Sequence, residues 1–439
     1  MSDLLYARAQ MGLSLAFHIV FAAAGVALPV LMVLSDWKAR RTGDSDYRVL
    51  SQKLAKGTAI LFAVGAVSGT VLSFELGLLW PEFMGQYGEV IGLPFSLEGV
   101  AFFTEAIFLG IYLYGRERAS PGLHLFSGVM VALSGAASAF FVTLVNAFMN
   151  APTGFTPTPT GPTDIQPLVA MFAPGWQYET VHVLLSSYQA SAFAMAGVHA
   201  FVLLRHPGSA FHRKALSVAL PLACLTALLQ PLAGDFLAKH DAHAQPVKLA
   251  AMEGHFDTAR GAQINLGGLP DVETATTPYS LKIPYGLSIL AFGDPNAEVR
   301  GLKEFPREEW PPVAKVHLAF DAMVGSGSAM ALLSLVTLVL RWRRREWPSG
   351  RRMMRVWLLA SPLGLLALEA GWLVTEWGRQ PWILRGVMRT SQAVTPVPHL
   401  FAPFWTFTLV YLFLGAVVAF LLVRQVAGTM PGQEVDDAH

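Results

Sequence analysis

The chain has 439 residues, of which 53% are hydrophobic and only 14% charged, with a formal net charge of +1 and a mean hydropathy of +0.46. Soluble domains carry about 25% charged residues, so the composition excludes an ordinary soluble globule, and the charge balance offers no basic footprint for nucleic acid. The single cysteine, Cys224, excludes disulfide frameworks, Cys-ligated iron–sulfur clusters and c-type haem attachment, which leaves His, Met or carboxylate to hold any redox group.

A helix needs roughly 20 apolar residues to cross the hydrocarbon core. Nine runs meet this, at about 13–34, 58–79, 93–114, 124–148, 180–204, 216–238, 316–340, 356–376 and 401–423. The first is too long for the apolar core of a signal peptide and ends in a basic loop, so it reads as a span and not as a cleaved leader. It carries His18. Span 2 has Glu75 near its end, and span 3 has Glu98 and Glu105. Span 5 opens on His182, with His199 about 25 Å further along the helix. Span 7 has Asp321 and Met323 in its first turns, and span 8 has Glu369 and Glu376. Between spans 6 and 7 lies the segment 239–315, much longer than a usual connection and with apolar and aromatic residues spread along it, which predicts an ordered loop.

Loop charge sets the orientation. Segment 35–56 holds six Lys or Arg, the 81–92 loop none, segment 150–179 none, and 341–355 seven arginines. The alternation predicts an all-α polytopic membrane protein. It is a single membrane domain over 1–439, a bundle of nine transmembrane helices with the N-terminus outside and the C-terminus cytoplasmic. The 239–315 loop is then external.

A charged group inside the bilayer costs about 2.5–3.5 kcal/mol on insertion scales, so such groups are the first place to look for function. Seven residues is nearly two turns, so Glu98 and Glu105 share a helix face about 10 Å apart, as do Glu369 and Glu376. Only a bundle interior suits such faces. With the predicted orientation, His18, Glu98, His182, Met323 and Glu376 fall in the outer half of the membrane, on five helices. His and Met are common haem ligands. The plainer alternatives are that the carboxylates stitch helices together, that His182 is an interfacial histidine, and that Met323 packs. His199, toward the inner face, reads as structural or interfacial.

Several strings resemble subunit I of the cytochrome bd family of quinol oxidases. GWLVTEWGRQPW (371–382) is similar to the segment around its high-spin haem carboxylate, and Arg8 followed by His18 resembles its N-terminal haem histidine region. LEGVAFFTEAIFLG (97–110) resembles its paired-glutamate helix, ETVHVLLSSYQASAFA (179–194) its low-spin haem histidine segment, FDAMVG (320–325) its methionine segment, and KLAAMEGH (248–255) its quinol-loop motif. The resemblance covers nearly the whole chain, in the right order on the right spans.

What the resemblance implies is specific. His182 and Met323 would be the axial ligands of a low-spin haem b, and His18 and Glu376 axial ligands of two high-spin haems, one a haem b and the other a haem d or a further haem b. Glu98 and Glu105 would serve proton delivery beside the oxygen-reducing haem. Lys248 and Glu253 would be the quinol-site pair, making 239–315 the quinol-binding loop. Trp372 would pack between haems, and Arg379 would neutralise propionates or the ligand carboxylate; ordinary interfacial anchoring is the plainer account of both. Asp321, where well-known members have an arginine, and NAFMNAPTGF (146–155) depart from those members and resemble the cyanide-insensitive branch.

The implied activity is quinol oxidation at the outer face coupled to reduction of O2 to water, generating a proton-motive force without pumping, in a bacterial cytoplasmic (inner) membrane. Implied partners are a second large subunit (subunit II) and often a small single-span one. Two rivals stand beside it: a proton-coupled secondary transporter, which would show inverted repeats and midplane breaks, and a b-type quinone-linked dehydrogenase subunit. No internal repeat is evident, and the polar groups lie toward one face.

Overall fold

The structure, a computed structural model, describes residues 3–158 and 161–429. Among the described residues, nine helices are long and apolar enough to cross a membrane: Asp3–Thr42, Ser45–Leu79, Pro81–Tyr114, Pro121–Asn150, Trp176–Arg205, Ala210–Ala244, Val313–Arg344, Arg351–Arg379 and Phe401–Ala427, spans 1 to 9. Each contains its predicted apolar run and continues beyond it. An apolar run marks only what faces hydrocarbon, whereas the hydrogen-bonded helix carries on through polar residues until a cap or breaker stops it.

Those stops are readable. Gly43, at φ 69°, and Asp44 turn the chain between spans 1 and 2, and the Asp44 carboxylate accepts from Asp46 N–H at 2.9 Å, a side-chain N-cap. Trp80 alone separates spans 2 and 3, with Pro81 opening the latter, where its missing N–H costs nothing. Span 8 is interrupted between Ala360 and Leu363, where Pro362 cannot donate to the preceding turn.

Successive spans run antiparallel, so the starts of spans 1, 7 and 9 and the end of span 6 share one end of the bundle. Leu400 N donates to Asp3 Oδ1 at 3.1 Å, and Arg385 Nη1 donates to the Ala244 carbonyl at 2.8 Å. At the opposite end, His212 Nε2 lies 3.2 Å from the Thr429 carbonyl. His199 sits there too, buried, its Nδ1 2.9 Å from His212 Nδ1.

The core lies around span 5. Ala192, Phe193, Ala196 and Ala200 are fully buried, and Phe193 packs on Trp357 of span 8 at 4.9 Å between ring centroids. Small residues let these two helices touch: a Cβ on Gly364 would meet Ala190 Cα at 2.5 Å. Any side chain there would push spans 5 and 8 apart.

The connection between spans 6 and 7 is folded. A short helix, Pro246–Met252, follows span 6 directly, and Gly286–Phe292 forms a second. Ile264–Leu266 pairs antiparallel with Leu281–Ile283, and Ala259–Arg260 with Glu298–Val299. Leu249, Ala262, Leu287, Ala291 and Val299 give it a small core of its own. Ala250, Ala251 and Met252 join Val313, Val316 and Val374 in another, which seats the loop on spans 7 and 8.

Candidate functional site

His182 lies on span 5 and Met323 on span 7, and spans 5, 6, 7 and 8 pack against one another. Gln230 of span 6 places its Nε2 3.2 Å from His182 Nε2 and 3.1 Å from the His182 carbonyl. His182 Nδ1 is buried with no hydrogen-bond partner. A Cβ on Gly234 would stand 3.5 Å from the His182 ring, and one on Gly371 would stand 2.9 Å from Met323 Sδ. Both side chains therefore lie against bare backbone of a neighbouring helix.

His18 follows the same rule. A Cβ on Gly69 would meet its ring at 3.1 Å. Its Nδ1 lies 2.9 Å from Ser68 Oγ, and the Ser68 hydroxyl proton is directed to the Val64 carbonyl at 2.9 Å. Ser68 can then only accept, so Nδ1 carries the proton and Nε2 is the basic nitrogen. Imidazole, thioether and carboxylate are all ligands that iron accepts. The orphaned Nδ1, the side chains set against glycine and the basic Nε2 of His18 suit this donor set to haem.

Glu98 and Glu105 project from span 3 toward span 4. Ser138 Oγ donates to Glu98 Oε1 at 2.8 Å, and Glu105, 5% exposed, has Oε2 3.4 Å from where a Gly135 Cβ would lie. The two carboxyls thus follow the span 3–span 4 seam one above the other.

At the loop end a polar network joins four segments. Arg379 donates to Glu376 Oε2 at 2.5 Å and to Asn150 Oδ1 at 3.4 Å. Asn146 Nδ2 donates to Glu376 Oε1 at 3.3 Å, and Asn150 Nδ2 donates to Asn146 Oδ1 at 2.9 Å and to Glu179 Oε1 at 3.0 Å. Lys248 packs its stem on the same turn, since a Cβ on Gly378 would stand 2.9 Å from Lys248 Cγ. Its ammonium pairs with Asp241 at 2.9 Å, both side chains being almost fully covered. Lys248, Arg379 and Arg385 line a cleft of about 220 Å³. Arg8, Lys315, Trp310 and Trp377 line another of about 360 Å³ beside it.

Glu253 ends the short helix that begins near Lys248, and it is 2% exposed. Burial, with the like charge of Asp321 adding to it, pushes its carboxyl up to about 8. Lys248 and Glu253 are not paired with each other; the lysine's counter-charge is Asp241. Asp321 accepts from Gly267 N–H at 2.9 Å and lies 3.3 Å from His317 Nε2. Trp372 is half-buried on span 8, one turn before Glu376.

Sequence reasoning missed Asp241, Asn146, Asn150, Glu179 and His317 as members of this region. Two signals were present: Glu179 shares a helix face with His182 at a three-residue spacing, and Asn146 and Asn150 lie one turn apart in an apolar span. Nothing local distinguishes Asp241 from the polar residues around it.

Comparison with known proteins gives a consistent picture. The family model for cytochrome bd terminal oxidase subunit I matches residues 6–430. A Bacillus subtilis (strain 168) chain, provisionally named as a cytochrome bd menaquinol oxidase subunit I, is 36% identical over 429 residues, covering 96% of each chain. The cytochrome bd ubiquinol oxidase subunit 1 of the same organism is 30% identical over 454 residues, covering 100% of this chain and 96% of its own. The solved bd oxidase from Geobacillus thermodenitrificans superposes with a TM-score of 0.92 at 38% identity, covering 98% of this chain and 99% of that one.

Proposed function

The chain belongs to the cytochrome bd terminal oxidase subunit I family, a multi-pass membrane oxidoreductase, and from that premise we propose that it oxidises quinol at the outer face of a bacterial inner membrane and delivers the electrons to O2. His182 and Met323 would hold a low-spin haem b, and His18 and Glu376 two high-spin haems, a haem b and a haem d or further haem b. When bound, these groups supply the one-electron carriers and the oxygen-reducing iron. A second large subunit, and a small single-span one, would complete the complex.

The observation that carries this reading is the joining of the loop to span 8. Lys248 lies against Gly378, one residue from the Arg379 that grips Glu376. A quinol held by Lys248 and Glu253 is thereby brought beside a candidate iron ligand. Lys248 would donate to a quinol oxygen, and Glu253 would take its proton. Glu98 and Glu105 would pass protons along the span 3–span 4 seam. Each O2 requires four electrons and four protons to yield two waters. Two quinols supply the electrons and release their protons outside, while the protons for water come from inside. The proton-motive force then needs no pump. Quinol-driven O2 uptake by the purified complex tests the activity, and its absence in a complex that retains its haems would refute it.

Two further outcomes follow from the side chains. Glu253 is neutral below about pH 8 and ionises above it. A raised carboxyl stabilises the fold fully only below its ordinary range, and that contribution is lost as pH rises through about 8. Only the ionised form takes a proton from quinol, so quinol oxidation is expected to rise as the pH approaches 8. Glu253→Gln is expected to be slow and to lose that rise; a variant with the parent's pH profile would contradict the role. Glu98→Gln is expected to lower maximal O2 reduction by about a hundredfold with little change in the quinol KM. A higher KM at normal turnover would contradict proton relay.

A further inference from the structure

The turn that carries Glu253 is held by an unusual set of bonds. Three consecutive carbonyls each accept a side-chain hydrogen bond from a different segment. The Met252 carbonyl lies 2.8 Å from His317 Nδ1 of span 7. That of Glu253 accepts from Asn265 Nδ2 at 2.9 Å, and that of Gly254 from Thr277 Oγ1 at 2.7 Å. His317 is fully buried, and its other nitrogen, Nε2, lies 3.0 Å from the Gly267 carbonyl.

Carbonyl oxygens only accept. A neutral imidazole has one donor and one acceptor nitrogen, so it would set a lone pair against one of these carbonyls. Both contacts are satisfied only when both nitrogens donate, that is, when the ring is an imidazolium. A buried cation needs a counter-charge, and Asp321 supplies it, 3.3 Å from Nε2 while also accepting from Gly267 N–H. Asp321 lies one turn from His317 on the same helix, so the two groups face each other without help from another span.

We propose that His317 is a positioning residue for quinol oxidation: a buried, doubly donating imidazolium that clamps the Met252–Glu253 turn and the Gly267 turn onto span 7, with Asp321 as its counter-ion. The clamp fixes where the Glu253 carboxyl is presented without touching quinol itself. It rests on the reading of Glu253 as a quinol-site residue.

The test is steady-state oxidation of a short-chain quinol by the purified complex, for His317→Leu, His317→Gln, Glu253→Gln and the double variants. Losing two charge-assisted bonds is expected to raise the quinol KM about tenfold or more in His317→Leu, with kcat less affected. His317→Gln, which keeps a donor for one of the two carbonyls but not the charge, is expected to fall between the parent and His317→Leu, with a KM still raised severalfold. On the Glu253→Gln background the histidine change is expected to add little, because the group it positions is already disabled. A normal KM in His317→Leu, or equal effects of the histidine change in both backgrounds, would overturn the proposal. Should His317→Leu fail to assemble, the same additivity is read with His317→Gln. Normal quinol kinetics in Glu253→Gln would instead remove the loop assignment itself, and the clamp with it.

Discussion

Asp241→Asn is expected to be among the most damaging single substitutions in the loop. Asp241 and Lys248 are 4% and 6% exposed at their side chains and 2.9 Å apart. Removing one partner of such a buried pair costs about 3–5 kcal/mol, because the remaining charge is stranded without water. Here the stranded ammonium would also share its cleft with Arg379 and Arg385. The loop should loosen, lowering the thermal unfolding midpoint, and quinol oxidation should fall by at least about tenfold. The double variant Asp241→Asn with Lys248→Met separates the two effects. It removes both charges and keeps the stem that packs on Gly378, so unfolding should return toward the parent value while quinol oxidation stays low. Full recovery of activity in the double variant would show that Lys248 serves only packing.

Met323→Leu and His182→Ala are expected to abolish the low-spin haem spectrum while leaving the high-spin features in place. An imidazole–thioether ligand set defines that haem, and neither replacement supplies a donor. Gly371→Ala offers a subtler check on the same site. The new methyl would stand 2.9 Å from Met323 Sδ, closer than unbonded atoms tolerate, so the thioether must move although no ligand has changed. A shifted low-spin band in Gly371→Ala, with His18-dependent features unaltered, is the expected result. An unchanged spectrum in Met323→Leu would remove the methionine from the ligand set.

The helical frame was legible because membrane spans are written in composition. A run of about 20 apolar residues leaves little choice of structure once backbone groups must pair internally. Their ends were less legible: span 6 runs on to Ala244 through Lys239, His240 and Asp241, which read as loop because polarity, and not hydrogen bonding, was the signal. The same misreading hid the partner of Lys248. Glu376 and Arg379, three residues apart on one helix, needed no tertiary information. By contrast, Asn146 meets Glu376 across 230 positions, and Arg385 of the span 8–span 9 connection reaches Ala244 across 141. Such contacts depend on which helices become neighbours, which periodicity does not encode. His317 shows the limit most plainly: nothing in its sequence neighbourhood singles it out, and only its contacts with the Met252 and Gly267 carbonyls do so.

The most direct measurement is an absorption spectrum of the purified, dithionite-reduced complex, followed by pyridine extraction to type its haems and by CO addition. Bands of a six-coordinate haem b, together with a second population that shifts on CO binding, are expected. A preparation that assembles correctly yet shows no haem absorption would contradict the redox role at its root.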